Sequence, residues 1–204
     1  MTDGAALFSA RYPVVWHVIE AEGAGPWLAE TGLLPTAALL GLAGGADHGA
    51  NRAEFRRVEF APGRVAVIRP QLMQDHRLLP TLAGRFARRP EAWRRHINAH
   101  VFCWTEPRRR DAFVRACLRW DGGRATPVVL EIDTAALLRI HGDRAFWSRI
   151  NAGSTVRGGG RVRRDEATLA PVSQYRSGPV AELAVRGPMA LGVPRERTPP
   201  CDDV

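Results

Sequence analysis

The chain has 204 residues, 45% of them hydrophobic and 25% charged, and a net charge of +8. That length suits one domain with a real core, and the composition is that of a folded protein rather than a disordered one. No run approaches the roughly 18 to 20 uninterrupted apolar residues of a membrane span, since the apolar stretch at 33–43 is short and broken by Pro and Gly.

Residues 1–11 read as a flexible leader, with no basic start and long apolar stretch of a secretory signal. Residues 12–19, YPVVWHVI, are rich in β-branched and aromatic types and predict a first strand carrying His17. A helical pattern over 27–34 ends at Gly32, a terminator, and Thr36 can open another short helix. The segment GGADHGAN is a loop by composition, and short strand pieces at 58–60 and 65–68 flank the turn Pro62-Gly63. Residues 72–86 read as a helix interrupted at Pro80, and PEAWRRHIN as a helix with Pro at its first position. A strand follows at 100–105 and a helix at 107–120. The strand TPVVLEI comes next, then a helix from 135 capped by Asp133-Thr134. Residues 146–164 read as mostly irregular and contain STVRGGGRVRR. A last strand lies at 180–185, and the tail from 194 to 204 is expected to be disordered. Strands and helices mix without regular alternation, which predicts one α+β domain over 12–193 rather than a doubly wound parallel sheet.

All 29 basic residues are Arg. A nucleic-acid partner and a mutational bias toward Arg codons both account for this, and the total absence of Lys favours the bias. The three cysteines, Cys103, Cys117 and Cys201, show no C-x-x-C pairing. No disulfide framework or metal site is expected, and a reducing cytoplasm is. Phosphate-loop, dinucleotide-fingerprint, zincin and nucleophile-elbow motifs are absent from the sequence.

Four segments in order carry a resemblance. YPVVWHVIEAEGAGPWLAETGLLP sets a His on a strand before a helix ending in Gly-Leu-Leu; HVFCWTEP, TPVVLEIDTAAL and GPVAELAVRGPM follow. Together they resemble the DarT-like ADP-ribosyltransferases, which open on a Tyr-His-x-Thr strand. They resemble most the uncharacterised bacterial relatives of that group, on RPQLMQD and WRRHINAHVFCW. Trp16 stands where the family has Tyr, and Ile19 where it has a Thr whose hydroxyl contacts NAD.

The resemblance implies a split, twisted antiparallel sheet flanked by helices, with NAD as substrate in the cleft between its halves. It implies mono-ADP-ribosyl transfer to a macromolecular acceptor, nucleic acid among the classes, in a toxin or defence setting with a neutralising antitoxin or immunity protein. Glu182 matches the late catalytic glutamate; a carboxylate in so apolar a strand is costly to bury unpaired, and an exposed face of an edge strand is the alternative. Trp104 matches the aromatic beside nicotinamide, His17 the ribose-side contact, and Gly32 the close of the NAD-site helix. Arg69 is the candidate for the active-site arginine, with Gln71 and Asn98 as amide contacts. Arg157, Arg161, Arg163 and Arg164 could grip a phosphate backbone, although no aromatic for base stacking lies among them. An NAD glycohydrolase on the same fold, a non-enzymatic Arg-rich nucleic-acid-binding module and a transferase without turnover remain open alternatives.

Overall fold

The computed structural model describes the whole chain except residues 46–48, 72, 121–125, 156–161, 193–194 and 198–204. Helix α1 (Asp3–Arg11) opens it, capped by the Thr2 hydroxyl on the Ala5 amide. This helix replaces the flexible leader expected for residues 1–11. Its Phe8 is fully buried, with its ring centroid 5.1 Å from Tyr12 and 5.2 Å from Tyr175, so burial of one aromatic anchors it.

Strand β1 (Val14–Glu20) leads to α2 (Leu28–Thr31), which ends at Gly32, and to α3 (Thr36–Leu42). Strands β2 (Arg56–Ala61) and β3 (Arg64–Ile68) form a hairpin around Pro62-Gly63, where Gly63 takes a φ of 68°. Residues 75–86 break into one helical turn, α4 (Asp75–Leu78), and two 3-10 turns rather than a single helix. Pro80 removes a donor, and Gly84 takes a positive φ. Helix α5 (Pro90–Asn98), strand β4 (His100–Trp104), helix α6 (Pro107–Trp120), strand β5 (Pro127–Asp133) and helix α7 (Thr134–His141) follow as the residue patterns predict. The segment expected to be irregular begins with strand β6 (Ala145–Ser148), and β7 (Ala170–Pro171) and β8 (Glu182–Arg186) follow. In the tail, β9 (Arg195–Arg197) pairs with β5, so those three residues are ordered. The rest of the tail expectation falls outside the described residues.

The result is an α+β architecture. A seven-stranded antiparallel sheet has the order β7-β6-β8-β4-β1-β5-β9, and the β2-β3 hairpin stands apart from it. Side chains alternate across each strand. Val15, Val101, Cys103, Leu130, Ile132, Leu183 and Val185 join Phe8 of α1 and Leu137 and Leu138 of α7 in the main core. On the other face, Phe102 packs with Trp93 and Ile97 of α5, while Trp16, Val18 and Trp104 pack with Phe113 and Val114 of α6. Among the described residues no helix is long and apolar enough to cross a membrane.

One junction in this sheet is unlike the others. Strands β1 and β5 pair along seven residues, but β1 and β4 pair only at Trp16↔Trp104. Beyond that pair the two strands part. The Phe102 carbonyl, which a ladder would have paired, instead meets the ring of His17, with Nδ1 2.7 Å away. The sheet therefore opens in its middle, and the opening faces the hairpin.

Candidate functional site

The opening between β1 and β4, roofed by the hairpin and by α2 and α3, is a cleft of about 280 Å³. That is near the lower end of the range for small-molecule sites. Its lining includes the apolar Trp27, Leu39, Phe60 and Ile68 and the polar His17, Arg52, Gln71, Asn98 and Glu182. Trp104 and Arg69 line it as well. Of the seven residues that the resemblance suggests for catalysis and NAD binding, six thus meet in one cavity although they are scattered over more than 160 positions of chain. The seventh, Gly32, is not in the lining.

Glu182 lies on β8, between β6 and β4, with Ser148 opposite on one side and Trp104 on the other. It is 4% exposed. The edge-strand alternative is therefore wrong: β8 is interior to the sheet, and the side chain shares the face of Trp104. The approach to β8 is tied at consecutive residues. The Val180 amide donates to the Tyr12 hydroxyl at 2.9 Å and the Thr105 hydroxyl to the Val180 carbonyl at 2.6 Å, while the Ala181 amide donates to the Ser148 carbonyl at 2.7 Å. Among the described residues the carboxylate accepts one bond, from the Ala152 amide at 2.9 Å. Burial outweighs that bond and the charges of Arg109 and Arg164, and pushes the Glu182 carboxyl up to about 8. A carboxylic acid that titrates near neutrality inside a cleft is a functional-site signature.

The other groups sort by whether their hydrogen bonds are already used. His17 is held neutral, with burial bringing it down to about 4. Since Nδ1 donates to the Phe102 carbonyl, Nε2 is left as an acceptor in the cleft. Trp104 rests against Phe113, centroids 5.4 Å apart. Gln71 and Asn98 bind each other reciprocally through their side-chain amides, at 3.1 and 3.2 Å. Burial pushes the Cys103 thiol to about 12, which makes it a poor nucleophile.

Arg69 does not fit its expected role. Its guanidinium donates to Glu20 through Nε at 3.0 Å and Nη2 at 2.7 Å, and through Nη1 to the Val18 carbonyl, and it sits 5.5 Å from the Phe113 ring centroid. Its charge is spent on a buried ion pair, with side chains 14% and 7% exposed, that braces the parted end of β1. The arginine that sequence reasoning missed is Arg52. It lines the cleft beside Gln71, whose amide donates to the Arg52 carbonyl at 2.8 Å. Its Nε and Nη1 are buried and have no hydrogen-bond partner among the described residues. Burial brings its guanidinium down to about 10, still charged at neutral pH. Nothing in the local sequence marked it, because it follows a loop and belongs to no strand or helix.

Of the four arginines that could grip a phosphate backbone, two are described. Arg163 is exposed and paired with Asp165 at 2.7 Å, Arg164 is 4% exposed, and Arg157 and Arg161 lie outside the described residues. Cys103 and Cys117 are free and buried. Gly32 takes φ 67° and ψ −158°, a region open essentially to Gly alone, and a Cβ there would lie 2.2 Å from the Met189 carbonyl oxygen. Its role is to let the chain turn so that Leu33 can pair with Met189.

Fold and site together define an α+β protein whose opened antiparallel sheet holds a buried glutamate beside an aromatic ring, with an arginine in the same cleft that has two buried N–H groups without a partner among the described residues. Residues 13–190 match the family of unknown function DUF7002, and the chain belongs to that family. Neither the curated proteins nor the solved structures yield a match.

Proposed function

We propose that this protein cleaves NAD and transfers its ADP-ribose to a macromolecular acceptor, as a mono-ADP-ribosyltransferase. The observation that carries the reading is Glu182: a buried carboxyl on an interior strand, facing a cleft, directly opposite Trp104. The resemblance of the four sequence segments to DarT-like enzymes supports it, and so does the parting of β1 from β4, a split of the kind that resemblance implies.

In this reading the ring of Trp104 packs on nicotinamide and His17 Nε2 accepts from a ribose hydroxyl. Arg52 takes the pyrophosphate, whose oxygens satisfy the two N–H groups that have no partner among the described residues. Arg69 braces the site through Glu20 rather than touching the substrate. The bond from ribose C1′ to the nicotinamide nitrogen breaks with its electron pair going to that nitrogen, so nicotinamide leaves neutral. The Glu182 carboxylate stabilises the positive charge growing on the ribose. The acceptor forms the new bond to C1′ and passes its proton to Glu182. The cationic nicotinamide ring favours the ionised form of Glu182, so substrate binding itself draws the proton off a group that is mostly protonated at pH 7 in the free protein.

The test is nicotinamide release from NAD by the purified protein, alone and with DNA, RNA or cell lysate. Release that rises with one acceptor class supports transfer and names the class, and release without any acceptor assigns the glycohydrolase reaction. Glu182→Gln should lower release by roughly 100-fold or more while NAD affinity stays within a few-fold. No release together with no NAD binding by calorimetry overturns the proposal.

A further inference from the structure

The Ala152 amide that holds Glu182 belongs to neither a strand nor a helix. It sits in a turn in which the Gly153 amide bonds the Asn151 side chain at 3.0 Å and the Ser154 amide meets the Asn151 carbonyl at 3.5 Å. An amide in such a turn stays on a buried carboxylate only if the turn itself is held in place. Arg164 supplies an anchor. Its Nη2 donates to the Ser154 carbonyl at 2.7 Å and its Nη1 to the Val162 carbonyl at 3.0 Å. Its own backbone is stitched to another segment: the Arg164 amide donates to the Thr81 carbonyl at 2.7 Å, and the Ala83 amide donates to the Arg164 carbonyl at 2.9 Å. Asp165, the next residue, closes a capping box with Thr168.

A guanidinium that is 4% exposed and forms no ion pair among the described residues is an expensive group to bury. Its Nε is buried without a hydrogen-bond partner among the described residues. Holding a turn does not by itself call for such a group, since neutral donors would serve. Resting on the reading of Glu182 given above, we propose that Arg164 is a positioning residue for Glu182: it clamps the 151–154 turn and so keeps the Ala152 amide on the carboxylate.

The charge of Arg164 acts in the same direction. Among the described residues, the ionisable groups that Glu182 feels are Arg109 from α6, Arg164 from this segment and the thiol of Cys103 from β4. Arg109 is engaged by Glu106 at 3.0 Å. Arg164, by contrast, has no carboxylate of its own among the described residues, so its field is the less compensated of the two.

The experiment compares the full-length protein with Arg164→Gln and Arg164→Lys. Amide hydrogen exchange of Ala152 and the carbon-13 titration of the Glu182 carboxyl are read by NMR, alongside the pH profile of nicotinamide release. In the Gln variant Ala152 should exchange about tenfold faster or more. The Glu182 midpoint should move to higher pH, and the release profile should move with it. The Lys variant keeps the charge but lacks the fork that reaches two carbonyls. It should lose Ala152 protection while shifting the midpoint less, and it decides the matter if the Gln variant does not fold. Unchanged Ala152 exchange and an unchanged midpoint in a folded variant, whatever its melting temperature, would overturn the proposal. Absence of nicotinamide release from the unmodified protein would instead remove the proposed reaction, while the exchange and titration data would still decide whether Arg164 holds Glu182.

Discussion

Two arginines reach the same cleft with opposite commitments. Arg69 has spent its donors on Glu20 and the Val18 carbonyl, whereas Arg52 keeps two buried N–H groups without a partner among the described residues. Removing one member of a buried ion pair strands the other charge, at a cost of roughly 3–5 kcal/mol. Removing a donor that had no partner relieves a penalty instead. Arg69→Met is therefore expected to lower the melting temperature sharply. Arg52→Met is expected to leave it level or raise it, and to weaken NAD binding by about tenfold or more, the worth of a charge-assisted contact. Thermal denaturation and calorimetry on the two variants check both halves. Equal loss of stability in the two, with NAD binding intact in Arg52→Met, would reverse the assignment. From sequence, Arg69 is the stronger candidate because it leaves a strand beside a proline. That cue locates a side chain but says nothing about which acid it will meet.

At the scale of elements, the strands and helices follow from local chemistry. Pro90 at the start of α5, Asp133 capping α7 through the Ala136 amide at 2.6 Å and the alternating pattern of β5 are each visible in a few consecutive residues. Where local reading fails, the deciding contact is remote. Helix α1 depends on Phe8 meeting Tyr175, and β6 on pairing with β8, nearly 40 residues later. The sequence resemblance places Gly32 at the NAD site, but its constraint is a backbone one. Gly32→Ala must strain the chain in a Gly-only conformation and push against the Met189 carbonyl. It is expected to destabilise the protein by about 1–3 kcal/mol or more, and urea unfolding measures it. A variant as stable as the parent would show that the turn can relax.

For the whole molecule, the raised Glu182 carboxyl couples stability to pH. The folded protein holds this proton up to about pH 8, whereas the unfolded chain releases it near the ordinary value of 4.5. Between those limits the native state binds more protons than the unfolded state, so stability from this group is full below about pH 4.5 and is lost as pH rises toward and through 8. A tenfold difference in proton affinity between the two states is worth about 1.4 kcal/mol. Glu182→Gln cannot ionise, so it should match the parent near pH 5 and become the more stable of the two by pH 8 to 9. Melting curves across that range test this without any substrate. A constant difference at all pH values would mean that Glu182 is not buried as described.

Composition, most strand and helix types and most of the polar and aromatic positions worth attention were determined by the sequence, because each depends on residues near one another in the chain. The sequence also marked Glu182 as an anomaly, a carboxylate among Val, Ala and Leu. Only the tertiary structure decided that this strand is interior rather than an edge, that β1 and β4 part after a single pair, and that Arg69 meets Glu20 while two N–H groups of Arg52 meet no partner among the described residues. Those outcomes turn on which groups desolvate together. Desolvation is set by neighbours that lie 30 to 170 positions away in the chain, such as Ala152 for Glu182 and Tyr12 for Val180.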